Sequence, residues 1–347
     1  MNTLHDAARH VFASDNSSGV HPEVMAALLA ANGGHTDAYG ADEYTLAFGA
    51  WARSVFGEDA VALPVLNGTG ANVLALQAAT PRHGAVVCAA SAHINTDEAA
   101  APERSAGLKL ITLEHEHGKL VPDAVHAAAR ALGSQHHAQP TTLSLSNVTE
   151  AGTAYTPTEL AALSAAAHEH GMLVHVDGSR LSHAAAHTGA GLRELVSDAG
   201  VDVLSLGATK NGAMLAEAVI ALHPLAAAAL PHLRKSTTQL VSKQRFVSAQ
   251  LLAMFEGGLW RENAARANAL AARLAAGLTE LPGVKLAHPV QSNAVFVQAP
   301  AALLEPLRSR FSFHGAGTAA SPARLMCSFD TQDEHVSALL EAAASLA

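Results

Sequence analysis

The chain is short of the residues that would tie it to several large classes of protein. Among its 347 residues are two cysteines, Cys88 and Cys327, each inside an apolar run and in no metal or redox spacing. That excludes a disulfide scaffold and predicts core thiols in a reducing compartment. Charged residues are only 15% of the chain and the formal net charge is −9, which argues against a nucleic-acid partner. No apolar run is long enough to span a bilayer, and the Ala-rich run at 225–230 is short and bounded by prolines. The first sixteen residues carry His, Arg and Asp without the apolar centre of a signal peptide, so the expected location is the cytoplasm. Lysine is scarce too, with six in all.

What is present is a composition 49% hydrophobic, ample for a buried core, in a length that fits about two domains. Apolar, strand-like runs at 61–66, 85–89, 108–113, 141–147, 173–176 and 201–206 alternate with helical segments. This rhythm predicts an α/β fold with a mainly parallel sheet covered by helices on both faces. Helices are expected at 22–31, with Pro22 at the start and Asn32-Gly33-Gly34 at the end, and at 43–56, stopped by Gly57. From Arg245 a long helical stretch follows, broken near Gly257-Gly258. Strands at 284–287, 293–298 and 324–329 and a last helix at 332–346 come after it. The expected division is an N-terminal segment and large domain over 1–256, and a small α+β domain over 257–347.

The chemistry centres on 201–212, where a short apolar strand leads through Gly207-Ala208-Thr209 to Lys210. A lysine fixed at a strand end among small residues is easily desolvated, which lowers its pKa and exposes the free amine. Alone, Lys210 reads better as a loop lysine with its ammonium in water, so the case for it rests on what accompanies it. Upstream, the run 173–176 ends in Asp177-Gly178-Ser179-Arg180, with a helix expected at 191–198 before the next strand. A right-handed crossover then puts Asp177 and Lys210 at one sheet edge. A carboxylate beside an amine there suits pyridoxal 5'-phosphate (PLP): the lysine forms an imine with its aldehyde and the aspartate holds a proton on its ring nitrogen. The phosphate seat is Gly68-Thr69-Gly70, between a strand and a helix start. This loop completes neither the dinucleotide glycine pattern nor a P-loop, leaving a single phosphate.

These stretches, together with Phe12-Ala13-Ser14-Asp15-Asn16, Asp37-Ala38-Tyr39-Gly40, Ala92-His93 and Ala323-Arg324-Leu325-Met326, occur in family order along nearly the whole chain. In them the sequence resembles the low-specificity L-threonine aldolases, PLP enzymes of the aspartate aminotransferase-like fold type I. The resemblance implies a seven-stranded sheet in which 216–222 adds an antiparallel strand. It implies reversible cleavage of L-threonine, L-allo-threonine or a relative such as phenylserine to glycine and an aldehyde. It places His93 on the cofactor ring and Arg180 and Arg324 on the substrate carboxylate, with Ser14 adding a hydroxyl and Tyr39 a substrate contact. Glu150 stands about where some relatives have a histidine, so its role as base, directly or through water, is an expectation of its own. Relatives also send a basic residue to the neighbouring subunit's phosphate. Lys243 is preferred here over Lys235 and Arg245, and a homodimer or homotetramer is expected.

Another fold type I enzyme, a β-eliminating lyase or an aminotransferase acting on a small L-amino acid, shares the lysine and the aspartate and is the alternative. A non-catalytic relative fits less well with Lys210, Asp177 and Arg324 all present. His183 and His187, four apart on an expected helix, lack a third ligand and the intervening Glu of a zinc motif, so no metal is expected.

Overall fold

The structure is a computed structural model that describes residues 4–6 and 8–347. The expectations for the first sixteen residues therefore lie partly outside it, at 1–3 and 7. A one-turn 3-10 helix (Asp15–Ser17) is followed by α1 (Pro22–Ala31) and α2 (Glu43–Phe56), and then the alternation begins. The strands are β1 (Val61–Val65), β2 (Gly84–Ala89), β3 (Lys109–Leu113), β4 (Gln139–Ser146), β5 (Leu173–Gly178), β6 (Val203–Gly207) and β7 (Glu217–Ala221). Between them run α3 (Gly68–Ala79), α4 (His93–Thr96), α5 (Ala101–Ser105), α6 (Pro122–Ala129), α7 (Pro157–Glu169), α8 (Leu181–Thr188) and α9 (Leu192–Leu195).

The strands form one sheet in the order β1-β7-β6-β5-β4-β2-β3, with β7 alone antiparallel to its neighbours. β2, β6 and β7 are buried at every position, as strands covered on both faces must be. The helix expected at 191–198 is only the four residues of α9. The crossover from β5 to β6 is carried mainly by α8, whose start at Leu181 follows directly from the strand. Gly200, at φ +79°, returns the chain to β6.

After β7 come α10 (Pro224–Ser236), α11 (Arg245–Phe255) and α12 (Leu259–Thr279), the last two separated where Gly258 takes φ +86°. β8 (Lys285–Leu286), β9 (Ala294–Gln298) and β10 (Ala323–Met326) form a second, antiparallel sheet, flanked by α13 (Ala301–Phe311) and α14 (Asp333–Leu346). This part has its own core, which includes Leu274, Val295, Leu307 and Leu325. Phe12 belongs to that second core, and its backbone is bonded to Phe311, Ser312 and Met326. The N-terminal segment thus crosses from the small sheet to the mouth of the large one, bringing Ser14 and Asp15 with it.

Candidate active site

Three contiguous recesses open at the carboxyl ends of the parallel strands, and Lys210 and His93 line all three. The larger, about 340 Å³, also takes in Ser14, Glu150, Arg180 and Arg324. The second, about 230 Å³, is lined by Gly68, Thr69, Asn72 and Glu217. A small one between them reaches Asp177 and Ser179.

Lys210 sits in a one-turn 3-10 helix (Thr209–Asn211) just past β6. Burial, aided by the Arg180 guanidinium, holds its amine below the usual lysine range. The close approach beneath it requires Gly207, because a Cβ there would lie 2.6 Å from the Ser179 Cα. Asp177 is the last residue but one of β5, paired with Ser205 of β6 and Ser146 of β4. Burial would raise its carboxyl, but Lys210 and the donors around it outweigh burial and hold it ionised. Those donors are the Ser179 N–H (2.9 Å) and hydroxyl (2.7 Å) on Oδ1 and the Asn72 amide (2.9 Å) on Oδ2.

Asn67 caps α3 and accepts the Gly70 N–H at 2.7 Å. The N–H groups of Gly68 and Thr69, in the first turn of the helix, have no acceptor within it. These two of the three residues expected to seat the phosphate line the Lys210 recess. Gly70 faces the other way, its missing side chain making room for the Gln239 amide, which a Cβ would meet at 2.3 Å.

Glu150 accepts the His93 backbone N–H (2.8 Å) and the Ser146 hydroxyl (2.7 Å), both at Oε1, leaving Oε2 without either bond. Burial lifts this carboxyl above the usual range. The His93 ring bonds Glu98 through Nδ1 at 2.8 Å, and that bond raises the imidazole pKa. The Asn72 amide nitrogen is 2.9 Å from both Glu98 Oε1 and Asp177 Oδ2, so one buried side chain ties the histidine's partner to the aspartate.

Arg180 is committed to Asp15 by a bidentate pair, Nε to Oδ2 at 2.7 Å and Nη2 to Oδ1 at 2.9 Å. Asp15 is fully buried; burial would raise its carboxyl, but Arg180 holds it well below the carboxylate range. Losing one member of such a pair costs about 3–5 kcal/mol, so Arg180 is firmly placed. Arg324 is freer: one Nη donates to the Ala13 carbonyl at 3.1 Å, and its buried Nε has no partner. Tyr39 and Lys243 line none of these recesses. Tyr39 is 54% exposed and lies under the Lys235 ammonium, 5.3 Å from ring centre to Nζ, and its N–H bonds the Ser242 carbonyl.

Asp15, Asn72 and Glu98 were not singled out from the sequence. Asp15 and Asn72 stand inside the motifs that carry the resemblance, which was their one signal. Glu98, in the polar stretch after His93, had none. Cys88 and Cys327 are core thiols, pushed up to about 12 by burial. His183 is buried in α8, and no cluster of metal-binding side chains occurs among the described residues.

The family profile described as beta-eliminating lyase matches residues 12–301. The chain is 40% identical over 330 residues to the low specificity L-threonine aldolases of a Pseudomonas species and of Pseudomonas aeruginosa, covering 94% of each chain in both cases. The solved threonine aldolase of Leishmania major superposes with a TM-score of 0.92 at 29% identity, over 97% of this chain and 99% of that one. Mouse CSAD, at 15% identity and a TM-score of 0.76 over 97% of this chain and 83% of that one, shares the fold. A profile match over most of the chain, joined to relatives 40% identical along nearly its full length, settles the lineage: the chain belongs to the beta-eliminating lyase family.

Proposed function

We propose that the protein is a PLP-dependent L-threonine aldolase, cleaving L-threonine, L-allo-threonine and other β-hydroxy-α-amino acids such as phenylserine to glycine and an aldehyde. The observation that carries this is Lys210, desolvated at the end of β6, in recesses that also hold Asp177, the Gly68-Thr69 helix start and an incompletely bonded Arg324. The full-length likeness to named threonine aldolases points to the same reaction.

The residues fit PLP. They offer an amine for its aldehyde, an ionised carboxylate for its ring nitrogen and free N–H groups for its phosphate. When bound, PLP supplies the aldehyde that holds the substrate amine and a ring that accepts the electrons of the broken bond. The protein's own part is to orient and to move protons. Arg324 and Ser14 hold the substrate carboxylate at the larger recess, a guanidinium fork matching two oxygens. Glu150 takes the β-hydroxyl proton at Oε2, and its raised pKa suits a base working near neutrality. His93, fixed by Glu98, would lie against the cofactor when it is bound and orient the substrate hydroxyl. Arg180, anchored by Asp15, keeps a positive charge near the amine of Lys210, which favours its neutral form.

Tyr39 and Lys243 serve the neighbouring subunit's site in this reading, within a homodimer or homotetramer; their separation from the recesses of their own chain supports it. The two free thiols support a cytoplasmic setting. No helix among the described residues is long and apolar enough to cross a membrane. Incubating the purified protein with PLP and L-threonine and measuring glycine and acetaldehyde tests the assignment. Equal amounts of the two are expected, and amine transfer to a keto acid without acetaldehyde would overturn it.

A further inference from the structure

Glu217 has no part in the chemistry described so far, yet it stands at the anion seat. It opens β7, directly opposite Gly207 of β6 and Val65 of β1. It is 5% exposed, and the recess it lines is the one lined by Gly68 and Thr69. Its only hydrogen-bond partner among the described residues is Thr209, whose N–H makes a long contact of 3.3 Å to Oε1, and no ion pair holds it there. The titratable groups around it are Lys210 beside Thr209, Asp177 on β5, and Glu98 and His93 across the recess. Arg234 of α10, packed behind β1, is bonded to the Pro64 carbonyl instead.

A doubly charged anion entering this recess meets one ammonium and two carboxylates, with Asp177 behind them. Two like charges sharing a desolvated site do not both stay ionised when one can take a proton. Asp177 is held ionised by its donors, whereas Glu217 has almost none. We propose that Glu217 is the proton-holding group of the anion seat, uncharged whenever a phosphate-like dianion occupies it, so that anion binding takes up one proton. This rests on reading the recess as the seat of the cofactor's phosphate. Burial, which pushes the Glu217 carboxyl up to about 7, puts that proton within physiological range.

The test uses sulfate, which stays doubly charged across the neutral and alkaline range, on the Lys210→Ala protein, where the lysine no longer titrates. Removing the ammonium shifts the Glu217 pKa further upward, so the titration is followed from about pH 6 to about pH 9.5. Above the pKa the sulfate Kd should rise by up to about tenfold per pH unit, the linkage of one proton per anion. In the Lys210→Ala/Glu217→Gln protein the remaining slope, due to His93, should be several-fold shallower. Calorimetry of the Lys210→Ala protein in buffers of different ionisation enthalpy should independently show uptake approaching one proton per sulfate, whether or not the double variant folds. Equal slopes, or no proton uptake, would overturn the role of Glu217. Failure of sulfate and PLP to bind at any pH would instead overturn the anion seat on which it rests.

Discussion

At the scale of single residues, the proposed site separates groups whose hydrogen bonds are all spent from groups that keep an open atom. Both hydrogen bonds to Glu150 fall on one oxygen, so the other is available and the carboxylate is positioned without being used up. Glu150→Gln keeps the shape and removes the basicity; kcat should fall about 10²–10⁴-fold, the usual contribution of a positioned base, with cofactor absorbance retained. Because the base works ionised, activity of the parent should climb with pH through a pKa above the ordinary carboxylate range. That acidic limb should vanish in the variant, and a variant with unchanged kcat would exonerate Glu150. Arg324 poses the complementary case. With a buried Nε lacking any partner, Arg324→Ala should raise KM for threonine about tenfold to a hundredfold, the worth of one or two charge-assisted bonds, while PLP affinity changes little. An unaltered KM in steady-state kinetics would remove Arg324 from the carboxylate site.

At the scale of elements, His175 fastens three strands together. From β5 it bonds the Ser144 hydroxyl of β4 at 2.9 Å and the Ser205 hydroxyl of β6 at 3.0 Å, directly beneath the edge that carries Asp177 and Lys210. Burial holds its imidazole down at about 4, so in the folded protein it stays neutral where an unfolded histidine near 6.5 charges. The unfolded chain therefore binds more protons between those values. The stabilisation is complete above pH 6.5 and lost as pH falls towards 4, about 3 kcal/mol in all. His175→Gln should abolish that loss. In urea melts its deficit relative to the parent should shrink on acidification, and a pH-independent deficit would show that His175 is not held neutral. The groups that titrate oppositely, Glu150 and Glu217, are common to both proteins and drop out of the difference.

At the scale of the whole molecule, the N-terminal segment and the second core decide where the substrate end of the site lies. Phe12 is packed under β10, and this brings Ser14, Asp15 and Arg324 to face the edge of the large sheet. Tyr39 and Lys243 lie outside that arrangement within one chain, and their proposed place is the neighbour's site. Lys210→Ala and Lys243→Ala proteins, each inactive alone, should regain activity on mixed refolding. A hybrid dimer holds one site with both defects and one with neither, giving about a quarter of parental activity for random pairing. No recovery would mean that Lys243 acts within its own subunit, and a Lys243→Ala protein active on its own would remove it from the site altogether.

Much of this was legible in advance. Lys210 and Asp177 announced themselves because each follows an apolar run and a parallel sheet gathers all such strand ends at one edge, whatever lies between them. Gly70 was misleading, since Gly-x-Gly marks a tight path without saying which N–H groups remain free; Asn67 takes that one. The short α9 was overestimated because α8, nearer β5, already carries the crossover. The alternation of elements and the place of Lys210 at a strand end are local matters, written in periodicity and in the residues at strand ends, whereas the order of strands in the sheet is not. The pairing of Asp15 with Arg180, the link from His93 through Glu98 and Asn72 to Asp177, and the burial of Glu217 join residues far apart in the chain. Desolvation and charge act through space, so packing had to be known before any of these groups could be given a protonation state.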